Sequence, residues 1–517
     1  MEQLPFEIIC LILEKCNFLS KIRLNAINKF YSKNIKIHDL MNIPKKYAVK
    51  LNDKILRQKK FRNFKKLYAK NQITQKGISK FNLIELNAAN NEKIEDVSFM
   101  KKLKVLNAQG DCGIDQCGIE GLNLIELNAG NNSKITSVTF MKNLKVLDAR
   151  DECGINQKGI RGLDLIQLIA CDNKTITNVS FMKNLKILAA SYECGIDQKG
   201  IRGLDLVELN ANDNTKINNV IFMKNLKILC ANERCGIDQK GIRGLDLTRL
   251  NVHDNKKIND VSFMRNLKIL DASYKCGIDQ KGIQRLDLTR LDVNDNEKIK
   301  DVTFMKNLKI LYAGNECGID QNGILGLDLT EIYTHDNEKI KNVTFMKNLE
   351  ILNASYKCGI DQNGILGLDL TEIYANDNEK IKNVTFLKNL KILDAGNKCG
   401  IDQNGILGLD LTEFDAIGNE KIKNVTFMKH LEVLNASGKC GIDQNGIEGL
   451  NLIEFDARSN KKIKNVTFMK HLKVLNASGK CGIGPKGIEG LFLKELKNKD
   501  NVNFQPKGYR STKKLKK

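Results

Sequence analysis

Tryptophan is absent from the 517 residues, and Pro (4), His (5) and aromatics (6%) are scarce. So little proline argues against a collagen-like or proline-rich chain. Long apolar runs are missing too. The longest are a handful of residues, broken by Lys, Asn or Asp, where a membrane-spanning helix needs about 20. No basic stretch precedes an apolar one at the start, and Glu2, Glu7, Glu14 and Lys15 interrupt any leader. The expectation is a chain without a membrane segment, made in the cytoplasm, with the nucleus left open. What is present suits a folded chain. Hydrophobic residues make up 42% and charged ones 28%, which excludes wholesale disorder. Lys+Arg (83) exceed Asp+Glu (61), for a net charge of +22. Length alone would suggest roughly three or four domains.

Repetition overturns that count. Cys112, Cys153, Cys194, Cys235, Cys276, Cys317, Cys358, Cys399, Cys440 and Cys481 each open a Cys-Gly-Ile triplet, and every step is 41 residues. A degenerate unit begins at Asn71, and the pattern frays after Leu493. Such strict repetition means a solenoid whose units pack on their neighbours. Each unit is two coils of 20 and 21 residues. One reads Leu206-x-x-Leu209-x-Ala211-x-x-Asn214-x-x-Ile217, the other Leu226-x-x-Leu229-x-Ala231. Strand alternation turns Leu206, Leu209 and Ala211 inward and Val207, Glu208 and Asn210 outward.

Four rows follow from the period. The Asn row (Asn91 to Asn460) suits turns, where its amide can satisfy backbone groups that no strand reaches. The Phe row (Phe99 to Phe468) reads as a hydrophobic spine on the return side. Two lysine rows, from Lys101 to Lys470 and from Lys93 to Lys462, read as a solvated charged face. The Asn-Val-Thr triplets at Asn342, Asn383, Asn424 and Asn465 read as parts of the repeat core. In the Asp197–Leu204 stretch, Asp suits a helix start, but two glycines allow only a short or 3₁₀ turn.

The run C-x-I-D-x-x-G-I-x-x-L resembles the cysteine-containing class of leucine-rich repeats over about 420 residues. The resemblance implies an α/β solenoid, a horseshoe with a parallel β-sheet on its concave face. At the start, Leu4, Pro5, Glu7, Ile8, Ile12 and Leu13, then Arg23, Leu24, Ile27, Asn28, Lys29 and Phe30, resemble an F-box, with Phe6 where that motif carries an acidic residue. The expected domains are a helical F-box-like module (1–40), a basic linker or cap (41–66), the solenoid (67–497) and a basic tail (498–517). A helical cap shielding the first coil is the other reading of 1–40.

The combination is similar to F-box/leucine-rich-repeat proteins, and the Lys, Asn and Ile richness to those encoded by giant DNA viruses, which would place it in host cytoplasm. The resemblance implies a substrate-recognition subunit of an SCF-type cullin ubiquitin ligase. Leu4, Pro5, Glu7, Ile8, Ile12, Leu13, Leu24 and Ile27 would bind a Skp-type adaptor, and the repeats a protein substrate, the chain being monomeric outside that complex. A ligase-free binding scaffold, or a basic nucleic-acid-binding scaffold, are the alternatives.

The residues themselves offer no catalytic site. One Cys per two coils spaces the thiols about 10 Å apart, too far for disulfides or a shared zinc. They read as buried thiols, and no metal or cofactor is expected. No Ser-His-Asp order, HExxH or P-loop is present. The lysine rows lack interleaved aromatics for stacking bases, which argues against nucleic acid. The outward strand positions vary most between units: Glu208, Arg249, Arg290, Glu331 and Glu372 in one row, Asn210, Asn251, Asp292, Tyr333 and Tyr374 beside it. Exposed Arg and Tyr anchor protein interfaces. The substrate site is therefore expected at Glu208, Asn210, Arg249, Asn251, Arg290, Asp292, Tyr333 and Tyr374. Drift at positions on which nothing packs is the alternative.

Overall fold

The computed structural model describes residues 39–41, 51–58 and 64–504. Leu4, Pro5, Glu7, Ile8, Ile12, Leu13, Leu24 and Ile27 lie outside the described residues, as do residues 505–517. Two compact units divide the chain, Met1–Leu250 and Asn251–Lys517. Among the described residues no helix is long and apolar enough to cross a membrane.

Each unit is a parallel β solenoid with the leucine-rich pattern. In the first, strands of two or three residues run from Asp39–Leu40 to Ile228–Cys230, each paired in parallel with the next. The Asp39–Leu40 strand pairs with Lys66–Leu67, so the sheet begins ahead of the repeats. In the second, parallel pairing continues from Ile269–Asp271 to Glu495–Lys497. Register is strict: Arg290 faces Ile310, Leu291 faces Leu311, Asp292 faces Tyr312. The middle residue of these strands turns inward, and Leu291, Leu311, Ile332 and Leu352 have no exposed surface. A slip of one residue would put every such Leu in water, so burial alone sets the register.

The return segments are short, as the glycines require. Asn363–Ile365 is a 3₁₀ turn. Asp361 Oδ1 accepts from Gly364 N at 3.0 Å, capping it. A Cβ on Gly364 would lie 2.2 Å from the Lys341 carbonyl oxygen of the coil before. Three residues later Gly367 sits at φ +76°, with open space around its Cα. Gly359, of Cys-Gly-Ile, donates to Asn337 O at 2.9 Å, and a Cβ there would meet Glu338 O at 2.4 Å. Backbone therefore touches backbone between coils, which only glycine permits.

One asparagine serves each unit of two coils. Asn337 is 1% exposed, and its Nδ2 donates to Ala313 O (2.7 Å) and Ile319 O (3.1 Å). Its Oδ1 accepts from Lys339 N (2.9 Å) and Ile340 N (3.3 Å). The same pattern holds at Asn132, Asn173, Asn214, Asn296, Asn378, Asn419 and Asn460, and extends to Asn501. A second ladder was not read from the sequence. Gln321 Oε1 accepts from Lys341 N and Asn342 N at 3.0 and 2.8 Å, while its Nε2 donates to Asn342 O at 2.9 Å.

Three sequence expectations are corrected. The Phe row is not a buried spine: Phe181 and Phe304 are 37% and 36% exposed, while Val302 and Met305 are sealed. Inward positions on this side lie three apart, so Val and Met fill the thin interior and Phe lies across its outside. The Asn-Val-Thr triplets are not core either. Only the Val is buried; Asn342 is exposed and its Oδ1 accepts from Thr344 N and Oγ1 at 2.9 and 2.7 Å. The second lysine row is not a freely solvated stripe. Lys134, Lys216, Lys298, Lys339, Lys380, Lys421 and Lys462 donate Nζ to the carbonyl of the Cys 22 residues, or one coil, earlier, at 2.9 to 3.2 Å. Asn503 takes over that duty for Cys481. A long alkyl stem lets the ammonium reach a carbonyl that no amide satisfies.

The Cys-Gly-Ile thiols are free and buried. Burial pushes Cys153, Cys194, Cys276, Cys317 and Cys399 up to about 12, and Cys440 up to about 11. Against an ordinary value of 9.0, this lowers the thiolate fraction near neutral pH by about a thousandfold at the first five and about a hundredfold at Cys440. Ellman's reagent added to the native chain should therefore label Cys117, Cys171 and Cys230, which are exposed or half-buried, well before any of the ten. Equal labelling of Cys317 and Cys117 would contradict the buried ladder.

Candidate protein-binding face

The outward sheet residues flank the buried middle position of each strand. Of the expected residues, Glu208, Asn210 and Arg249 lie in the first unit, and Asn251, Arg290, Asp292, Tyr333 and Tyr374 in the second. All eight occupy the first or third position of their strands.

The third position has a structural duty. Asn210 Oδ1 accepts from Asn212 N at 3.1 Å, Asn251 from His253 N at 3.1 Å, and Asp292 from Asn294 N at 3.0 Å. Asn353, Asp394, Asp415 and Asn435 do the same. This side-chain turn holds the bend that follows the strand. Asn210, Asn251 and Asp292 are thus occupied by the fold itself. Tyr312, Tyr333 and Tyr374 hold the same place without an acceptor oxygen that could reach back, so their coils forgo the bond.

What the tyrosines form instead is a cluster in the second unit. The rings of Tyr312 and Tyr333 stack with centroids 4.3 Å apart and planes 2° from parallel. The Arg290 guanidinium lies 5.0 Å from the Tyr312 ring centroid, and its Nη2 donates to the Tyr312 hydroxyl at 3.4 Å. Tyr333 donates its hydroxyl to Glu331 Oε2 at 3.0 Å, and Tyr374 to Glu372 Oε2 at 2.9 Å. Stacking and cation–π contacts are each worth about 0.5–1.5 kcal/mol, enough to hold the rings in place before anything binds. Tyr312 sits in the other half of the repeat, outside the two rows that single out Tyr333 and Tyr374 in the sequence.

Electrostatics sharpen the patch. Burial, then the Glu331 carboxylate, holds the Tyr333 phenol above its ordinary range, and burial, then the Glu372 carboxylate, puts Tyr374 at about 12. Asp292 and Asp394 are pushed up to about 6, first by burial. Asp292 also faces Asp271 across the strand pair. Between Glu331 and Asp456 the strands present no outward Lys or Arg, although the whole chain is basic. The face is aromatic, acidic and interleaved with half-buried Ile310, Ile351 and Ile392. Among the described residues no group of three or more His, Cys, Asp or Glu is placed to hold a metal ion.

No protein-family model matches the chain, and no curated protein matches it. Solved structures do. The crystal structure of a TLR13–ssRNA13 complex is 17% identical over 85% of this chain and 73% of that one, with a TM-score of 0.41. Mouse RP105 in its complex with MD-1 is 14% identical over 85% and 69%, with a TM-score of 0.32. The functional domain of InlJ from Listeria monocytogenes, described as including a cysteine ladder, is 17% identical over 81% and 70%, with a TM-score of 0.20. The likeness is one of fold: coils with a leucine-rich pattern.

Proposed function

We propose that the chain is a non-catalytic substrate receptor. In this reading the strand face around Arg290, Tyr312, Tyr333 and Tyr374 holds a protein, and the F-box-like segment at Leu4–Leu13 joins a Skp-type adaptor of a cullin ubiquitin ligase. The observation behind the first half is the surrender of a repeated turn bond at three tyrosine positions, two of them stacked and the third held by its own strand's glutamate, all partly exposed. Rigid aromatic and Arg side chains carry most of the energy at protein interfaces. The second half rests on the Leu4-Pro5-x-Glu7-Ile8 resemblance alone.

A protein ligand is favoured over nucleic acid by the acidic character of this face and by the engagement of the second lysine row with backbone carbonyls. The test is affinity purification of the tagged full chain from a eukaryotic host, with mass spectrometry. Leu4→Ala with Pro5→Ala should lose the adaptor and keep the substrate. Tyr333→Ala with Tyr374→Ala should lose the substrate and keep the adaptor. An adaptor retained by the first variant would leave a binding scaffold without a ligase; a substrate retained by the second would remove the face from the account.

A further inference from the structure

The last coil differs from all before it at the places where a following coil would sit. Asp205, Asp328 and Asn451 occupy one such place, and each accepts from the backbone or side chain of the coil after it. In the last coil that place is Phe492, which is 97% exposed. Charged residues such as Glu420 and Lys461 occupy another; there the last coil has Val502, 69% exposed. Leu491, Leu493 and Leu496 are partly exposed, whereas their counterparts Leu450, Leu452 and Phe455 are at most 3% exposed. A free solenoid end needs a polar outer face. This end has instead gained two apolar side chains. The Glu495–Lys497 strand also has no following strand among the described residues, and a strand edge of this kind is a template for pairing with another chain.

We propose that this end is an interface between two copies of the chain, joined tail to tail by antiparallel pairing of the Glu495–Lys497 strands. A twofold axis at Leu496 sets Leu496 against its own copy. It sets Glu495 opposite the partner's Lys497, and Lys497 opposite the partner's Glu495. Both cross-strand pairs are then of opposite charge, the favourable arrangement on one face of an antiparallel pair. Within one chain the two side chains already lie together, Lys497 Nζ 3.3 Å from Glu495 Oε1. Phe492 and the exposed leucines would supply the apolar part of a self-complementary patch. The chain's own residues 505–517 match this surface poorly: Tyr509 and Leu515 are their only large apolar residues beside six Lys and Arg.

Sedimentation velocity of the full chain over a wide concentration range tests this. The wild type should pass from monomer to dimer. Phe492→Asp should weaken the dimer by about tenfold or more, as should Lys497→Glu, which places like charges opposite each other. Both side chains are largely exposed, so the coil itself should stay folded, as circular dichroism will report. Glu495→Lys combined with Lys497→Glu should restore the dimer, because the swap regenerates opposite charges across the axis. A wild type that stays monomeric overturns the proposal, as does a Lys497→Glu dimer as tight as wild type or a double swap that fails to restore it. A dimer that appears only when residues 505–517 are removed also overturns it, by showing that the tail covers this end.

Discussion

Asn337→Ala is expected to open the coils on either side of position 337. Four backbone groups lose their partner at once: Ala313 O, Ile319 O, Lys339 N and Ile340 N. A buried polar group left unpaired costs about 1–3 kcal/mol. Three of the four bonds, those to Ala313 O and Ile319 O and that from Ile340 N, are buried, so a local loss of about 3–5 kcal/mol is expected. Asn337→Asp separates this from a packing effect. It keeps the shape and one acceptor oxygen, but turns a carboxylate oxygen toward two carbonyls in place of the amide NH₂. It should therefore be at least as damaging as Ala. Hydrogen exchange followed by mass spectrometry is the suitable measurement, because a repeat array opens locally rather than all at once. Protection should fall across residues 313–340 and remain in distant coils. Unchanged protection in both variants would mean that the asparagine ladder holds nothing.

A comparably large loss is expected from the smallest side chain of all. In Gly364→Ala the new Cβ would stand 2.2 Å from Lys341 O, with Ile360 Cγ2 at 3.2 Å. The obstacle is backbone and cannot rotate away, so the coils must part. About 3 kcal/mol or more should be lost. Gly367→Ala is the control. Its φ of +76° strains any side chain, but nothing lies within 4 Å, and about 1 kcal/mol is expected. The repeats have already made that second experiment. Arg285 stands at the equivalent place with φ +70°. No unit places a side chain at the Gly364 position, where glycine recurs from Gly77 to Gly487. Thermal unfolding of the two variants side by side decides the matter; equal effects would refute the close approach.

The coil architecture was legible because its causes are local. Leu209 and Ala211 state which face is inward, Asp197 with its two glycines states a short turn, and Asn214 states a satisfied bend. Legibility failed wherever a residue acts on a different coil. Lys339 looks like any solvated lysine until Cys317 O comes within 2.9 Å. Gln321 looks like filler until two amides twenty residues on converge upon its oxygen. Phe304 was misplaced for a geometric reason: hydrophobicity says that a ring prefers shelter, but not that Val302 and Met305 have already filled the space. The binding face was half visible. Tyr333 and Tyr374 stood out by changing a row, whereas the stack of Tyr312 on Tyr333 joins opposite halves of the repeat and appears only when adjacent coils are laid side by side.

The direction of the asparagine bonds has one more consequence. Nδ2 of each rung reaches back to carbonyls 18 and 24 residues earlier. One coil of each unit is therefore finished by its successor. During synthesis on a ribosome, where chain emerges from the amino end, every newly released unit of 41 residues would bring one asparagine that seals the coil ahead of it. At any moment no more than about one two-coil unit would wait unsealed at the growing tip, sparing the nascent protein a long wait with its interior open to water.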